Sequence, residues 1–191
     1  LVEKETGILN GTRDYINVGS GAVLKGQGTV NHMYVNSGVV SPGNSPGTIT
    51  VLQSLNLSAG ATYVAELLNV NSYDQLIAGE NYAETSNAVS IGGSTLNTIL
   101  FEGWSINQGD SFTIIDNRSA TQVSGEFNDL PEGTQFTVDG IVFSISYVGG
   151  DGNDVVITAL NEGTDPDAPN TGAGQVVLAN PGILAGLGIV T

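Results

Sequence analysis

Cysteine does not occur in the 191 residues, histidine occurs once, and lysine and arginine together number 4 against 19 aspartates and glutamates. The lack of cysteine excludes disulfide scaffolds, thiolate zinc sites and thiol nucleophiles. A lone histidine, His32, excludes a multi-histidine metal centre or a histidine relay. The formal net charge of -15 argues against nucleic acid and anionic lipid as partners, because both need basic side chains to neutralise phosphate. The cations Lys4, Arg13, Lys25 and Arg118 are dispersed, so no cationic base for polysaccharide elimination is marked. Carboxylates such as Asp110, Asp116, Asp129 and Asp139 are scattered, whereas glycoside hydrolysis needs two of them across one groove. The chain therefore reads as non-enzymatic. No apolar run reaches the roughly 18–20 residues a membrane-spanning helix requires. The nearest, residues 176–191, is broken by Asn180 and Pro181.

What is present is glycine (27 residues), with apolar residues at 40% and charged ones at only 12%, a balance that fits a folded chain better than a disordered acidic one. Short β-branched and aliphatic runs alternate with Gly, Asn, Ser and Asp. They predict strands at 15–18, 22–25, 29–35, 39–41, 48–51, 55–57, 62–67, 75–78, 88–91, 95–100, 111–115, 135–138, 141–147 and 154–158. Evenly spaced short strands imply an all-β fold. The recurrence of Gly-x-Gly breaks every ~8–12 residues favours a β-solenoid over a sandwich, with roughly 20–25 residues per three-strand rung. Residues 1–100 are expected to form solenoid rungs and residues 101–160, richer in aromatics, a capping β region with a hairpin at Asp139-Gly140. Residues 161–175 then read as a polar linker and 176–191 as an apolar C-terminal segment. Ser41-Pro42-Gly43-Asn44-Ser45-Pro46-Gly47 reads as a rigid double turn. The chain opens without a basic, apolar leader, as expected if one has been removed. A cysteine-free, acidic, Asn/Ser/Thr/Gly-rich composition places the protein outside the cell.

The segments GTVN at 28–31, SPGNSPGTIT at 41–50, GDSFTIIDN at 109–117 and GGDGNDVVIT at 149–158, in that order, resemble the C-terminal end of autotransporter-type passenger domains and related repeat-containing bacterial surface proteins. That resemblance implies a right-handed parallel β-helix with a C-terminal β-hairpin cap, displayed on the bacterial cell surface, and no single activity. In place of the membrane barrel that follows in that family, this chain carries Ala168-Pro169-Asn170-Thr171-Gly172, which looks like a degenerate sortase-type sorting signal.

Residues 149–157 match one copy of a calcium nonapeptide, with Asp151 and Asp154 as the candidate ligands. One copy supplies half a site, since calcium takes six or more oxygens from stacked turns, so a Gly/Asp-rich hairpin turn is the plainer reading. No other cofactor is expected. Lys4 or Lys25 forming an isopeptide bond has no marked partner. Tyr15, Tyr34, Tyr73 and Tyr82 offer rings either for stacking on a surface glycan or for packing. The apolar tail, through Val176, Val177, Leu178, Ile183, Leu184, Leu187, Ile189 and Val190, has three fates: transient membrane insertion, folding back, or insertion into a neighbouring copy by β-augmentation. The last gives the expected role, a subunit of a surface filament assembling head to tail through solenoid ends and the tail. The alternative is the membrane-proximal stalk of a cell-surface adhesin that binds a glycan or host surface.

Overall fold

The computed structural model describes residues 6–83 and 87–167. Among them every regular element is a strand: β1 (Thr6–Val18), β2 (Val23–Val35), β3 (Val39–Pro42), β4 (Thr48–Val51), β5 (Leu55–Leu57), β6 (Thr62–Asn69), β7 (Ser72–Tyr73) and β8 (Gln75–Ala78). The second half holds β9 (Val89–Ser90), β10 (Thr95–Leu100), β11 (Ser105–Ile106), β12 (Ser111–Asn117), β13 (Gln135–Val138), β14 (Ile141–Gly149), β15 (Asp154–Ala159) and β16 (Gly163–Thr164). The expected strands at 48–51, 55–57, 75–78, 95–100 and 135–138 coincide with β4, β5, β8, β10 and β13. The two short strands expected at 22–25 and 29–35 are one continuous β2, because Gly26 and Gly28 stay in the ladder beside Leu9 and Gly11.

The fold is all-β, dominated by one large mixed sheet. Its first part is parallel. β1 pairs along its whole length with β2. Successive parts of β2 then pair with β3, β4 and β5, and each of these founds a column. β3 continues to β6 and β10, β4 to β8 and β12, and β5 to β9. Equivalent positions in a parallel ladder sit about 4.8 Å apart, so like side chains stack. Three buried ladders result: Leu24–Val40–Tyr63, Ile49–Leu76–Ile115 and Ile16–Met33–Leu55–Val89.

The sequence step between partners is not constant. It is 17 residues from Thr6 to Val23, 23 from Val39 to Thr62 and 33 from Thr62 to Thr95. Only the middle step matches the expected rung length. The later ones lengthen because a hairpin of β6 with β7 and the loop after Ala78 are added at the corners, outside the ladders. A column boundary recurs as a tight turn: Ala22, Ala61 and Ser94 donate their amides to the carbonyls of Gly19, Ser58 and Ile91. Gly38 lies in the corresponding corner, where a β-carbon would come within 2.6 Å of the Gly19 carbonyl and of Val18.

The second part is antiparallel. β12 pairs with β8 in parallel on one side and with β15 in antiparallel on the other, after which β14 and β13 follow. Asp139 (φ 46°) and Gly140 (φ 85°) form the tight turn between β13 and β14. The inner face of this layer, Ile141, Phe143, Ile145, Tyr147, Val155 and Ile157, joins the same apolar core as the parallel columns. Its aromatic contacts are graded: Phe136 stacks on Phe143 (5.7 Å), Phe143 meets Phe112 edge-on (6.3 Å) and Tyr147 tilts against Phe127 (6.2 Å).

The start of the expected polar linker is docked. β16 pairs with β11, and Gly103 donates its amide to the Asp165 carboxylate at 2.7 Å. Gly163 is what allows this, since a β-carbon there would strike Ile141 and Trp104. The sorting-like residues Pro169, Asn170, Thr171 and Gly172 and the tail from Val176 to Val190 lie outside the described residues.

Candidate functional site

Alternation along β1, β2 and β5 sends one set of side chains into the core and the other outward. The outward set is chemically distinctive. Tyr15 lies beside His32 and Asn17 beside Tyr34 across the first pair, and Tyr34 lies beside Asn56 across the next. Tyr15 is 52% exposed and its ring stacks on Tyr34 with centroids 5.2 Å apart, while Tyr34 stacks on His32 at 6.5 Å. Ser54 anchors the group: its hydroxyl is 2.7 Å from His32 Nδ1 and 3.3 Å from the Tyr34 hydroxyl. Beside the rings runs an amide ladder. Asn36 Nδ2 donates to Asn17 Oδ1 (3.1 Å), and the Ser58 hydroxyl reaches both Asn36 Oδ1 (3.0 Å) and Asn56 Oδ1 (3.1 Å). A groove of about 370 Å³ lies along this face, lined by His32, Tyr34, Ser54, Asn56, Tyr82 and Ser90 among others.

The four tyrosines thus separate. Tyr15 and Tyr34 form the outer stack, whereas Tyr73 and Tyr82 pack against the core, Tyr73 edge-on to Phe112 at 5.3 Å. His32 is on the outer face, half-buried beside Ser54.

A second polar centre is internal. Asp74 is fully buried; its Oδ1 accepts from the Gly47 amide at 2.7 Å and its Oδ2 from the Glu66 amide at 3.2 Å. Burial pushes its carboxyl up to about 7; nearby Glu66 adds to this, while the two amides and Lys25 oppose it. Glu66 is itself buried, and its Oε2 has no hydrogen-bond partner. Asp74 therefore ties Gly47, at the end of the turn after β3, to β6, sealed from solvent. Sequence reasoning missed this pair. The only available signal was an acidic residue placed directly before the apolar strand 75–78, which is also how an exposed turn residue looks.

The 149–154 turn places its two aspartates differently. Asp151 is exposed, but Asp154 is buried, and its Oδ1 accepts the Asn117 amide at 2.8 Å. Its Oδ2 lies over Gly150, where a β-carbon would collide with it. Burial raises the Asp154 carboxyl above its usual range, and Asp116 and Asp151 raise it further against the pull of the Asn117 and Asp151 amides. Asn117 and Asn153 extend the knot by donating to the carbonyls of Thr121, Asn153 and Ser119. No group of three or more His, Asp or Glu ligands is assembled among the described residues. Lys25 is partly buried near Asp74, and Lys4 lies outside the described residues.

No protein-family model matches the chain, and no curated protein matches it either.

Proposed function

We propose that the three columns close into a parallel β-helix and that the protein is an extracellular structural module on the bacterial cell surface, the capped end of an adhesin stalk. The observation that carries this reading is the inequality of the two ends. Among the described residues β1 pairs with β2 alone, so a 13-residue parallel strand offers its other edge. At the opposite end the antiparallel strands β13 to β15 lay Phe143, Ile145, Tyr147 and Ile157 over the core. The far end keeps only the shorter edge of β10 beside these antiparallel strands, so the long β1 edge is the favoured place for the stack to be extended. The membrane-proximal position fits the cap, since the sorting-like Pro169-Asn170-Thr171-Gly172 follows it in sequence.

The filament reading comes second, and the β1 edge is what favours it: the apolar segment from Val176 to Val190 of another copy would be the strand that pairs there. Stacking of solenoid ends is the weaker half of that reading, because the far end holds no strand to match the 13-residue β1: there the six-residue β10 ends one column and β12 runs on into the antiparallel β15.

Negative-stain microscopy of the full chain, together with labelling of intact source cells by an antibody to the cap, tests the proposal. Discrete short particles and labelled cell exteriors are expected. Long polymers that vanish on deletion of residues 176–191 would replace the stalk with the filament, and label confined to the cell interior would remove both.

A further inference from the structure

We infer that the outer face of the column formed by β1, β2 and β5 is a carbohydrate-binding platform that takes an uncharged glycan, recognised by the stacked rings of Tyr15 and Tyr34 and the amide ladder beside them. This deepens the stalk reading and rests on it only for bringing the face to a glycan.

Pyranose rings present apolar C–H faces and a rim of hydroxyls. A site for them needs flat aromatic faces next to short, fixed donors and acceptors. Both are present. Tyr15 is the most exposed ring of the group, and Tyr34 beneath it is fixed by Ser54 and by the stack itself. The amides of Asn17, Asn36 and Asn56 each retain donor or acceptor capacity beyond the bonds they make to one another, because an amide offers two donors and two lone pairs. Tyr15, Asn17, Tyr34 and Asn56 stand on paired strands, and Asn36 directly after β2 is held by its bonds to Asn17 and Ser58, so binding costs little ordering.

The alternatives fit less well. A peptide added as a strand would pair along the open edge of β1, beside this face and without covering the rings. A second copy would bring together two chains of net charge -15 over a polar face. The same charge disfavours sialylated and sulfated glycans. The chemistry selects a neutral polysaccharide.

The test is titration of the full chain with oligomers of glucose, mannose and N-acetylglucosamine, and with sialyllactose, followed by saturation-transfer NMR and tyrosine fluorescence. Saturable binding of at least one neutral oligomer is expected. Tyr15→Ala should weaken it at least about tenfold (~1.4 kcal/mol). Tyr15→Phe, which keeps the ring, should stay within about threefold of the parent (under ~0.7 kcal/mol). Four results would overturn the inference: no neutral oligomer bound, binding of sialyllactose only, affinity indifferent to Tyr15→Ala and Tyr34→Ala, or a dimer that Tyr15→Ala dissolves. None of them touches the microscopy result, so the stalk and the platform stand or fall separately.

Discussion

The parallel columns and the antiparallel cap share one core but build it from different materials. The columns use aliphatic ladders such as Ile49–Leu76–Ile115, in which each side chain repeats the shape of the one beneath it. The cap uses rings, Phe112, Phe127, Phe136, Phe143 and Tyr147, that meet at angles from 27° to 69°. The difference follows from the task. In the ladders of β4, β8 and β12 each side chain has an aliphatic neighbour of similar size, so branched residues fill them, whereas the β3 column already admits one ring, Tyr63. In the proposed stack the antiparallel layer has no next rung above it, and a few large side chains cover what several strands leave open. The comparison breaks most sharply at Phe143, fully buried at the junction of the two parts. Phe143→Ala is expected to cost about 3–5 kcal/mol, and because the core is continuous, calorimetry should show one transition moved to lower temperature. Two separated transitions would mean that cap and columns fold independently.

Columns and cap each hold a buried acid, and this gives the next effect. Asp74 belongs to the columns, with its carboxyl raised to about 7 from an ordinary 3.8. The folded state therefore binds a proton that the unfolded chain releases, and the group's stabilisation is full below pH 3.8 and lost as pH rises through 7. Between those limits the slope is about 1.4 kcal/mol per pH unit for one proton. Thermal melts of the parent should gain on those of Asp74→Asn as pH falls from 7 toward 4, with the two curves parallel above 7. Curves parallel throughout would show that the group is ionised in the fold. Asp154 in the cap shifts in the same direction, so Asp154→Asn should remove part of the same trend.

The two parts were not equally legible in the sequence. Strands β4, β5, β8 and β10 of the columns follow from in-out-in alternation bounded by turn formers, and Asp139-Gly140 marks the cap hairpin because both residues must take positive φ. The varying step was not legible: insertions at corners leave the ladders intact, so nothing in the strand pattern records them. The docking of β16 on β11 was hidden because Gly163-Thr164, met in sequence, is indistinguishable from linker, and its partner lies nearly sixty positions earlier. The outer platform was half legible. Tyr15 and Tyr34 stand out as residues, but their stacking depends on the 17-residue register between β1 and β2, which lone strands do not specify.

Smaller effects sharpen the contrast at single atoms. The Tyr147 hydroxyl donates to the Leu130 carbonyl at 2.6 Å and accepts the Phe127 amide at 3.0 Å, which ties the 127–130 loop to the cap. Tyr147→Phe leaves the ring packing and orphans the buried Phe127 amide. The expected loss is about 1–3 kcal/mol, read from chemical denaturation, and amide exchange at Phe127 should accelerate. The Tyr63 hydroxyl plays the matching part in the columns by donating to Ile114 at 2.9 Å. Tyr63→Phe should be comparable, and a much smaller loss would identify the cap as the region where polar anchoring outweighs stacking.

The least effect is expected where charge is concerned. Arg118 pairs with Asp116 at 3.1 Å and Glu80 at 3.7 Å, joining the end of β12 to the loop after β8. Its side chain is 44% exposed, so water screens both pairs, and each long side chain gives up rotamer freedom to make them. Arg118→Ala should therefore change stability by roughly 0–1 kcal/mol, with the difference fading at high salt. With only 4 basic residues against 19 acidic ones, the fold cannot rely on ion pairs, and its strength must come from ladders, rings and amide knots. A loss above that range, erased by salt, would show that the acidic surface is under strain at this corner and that Arg118 relieves it.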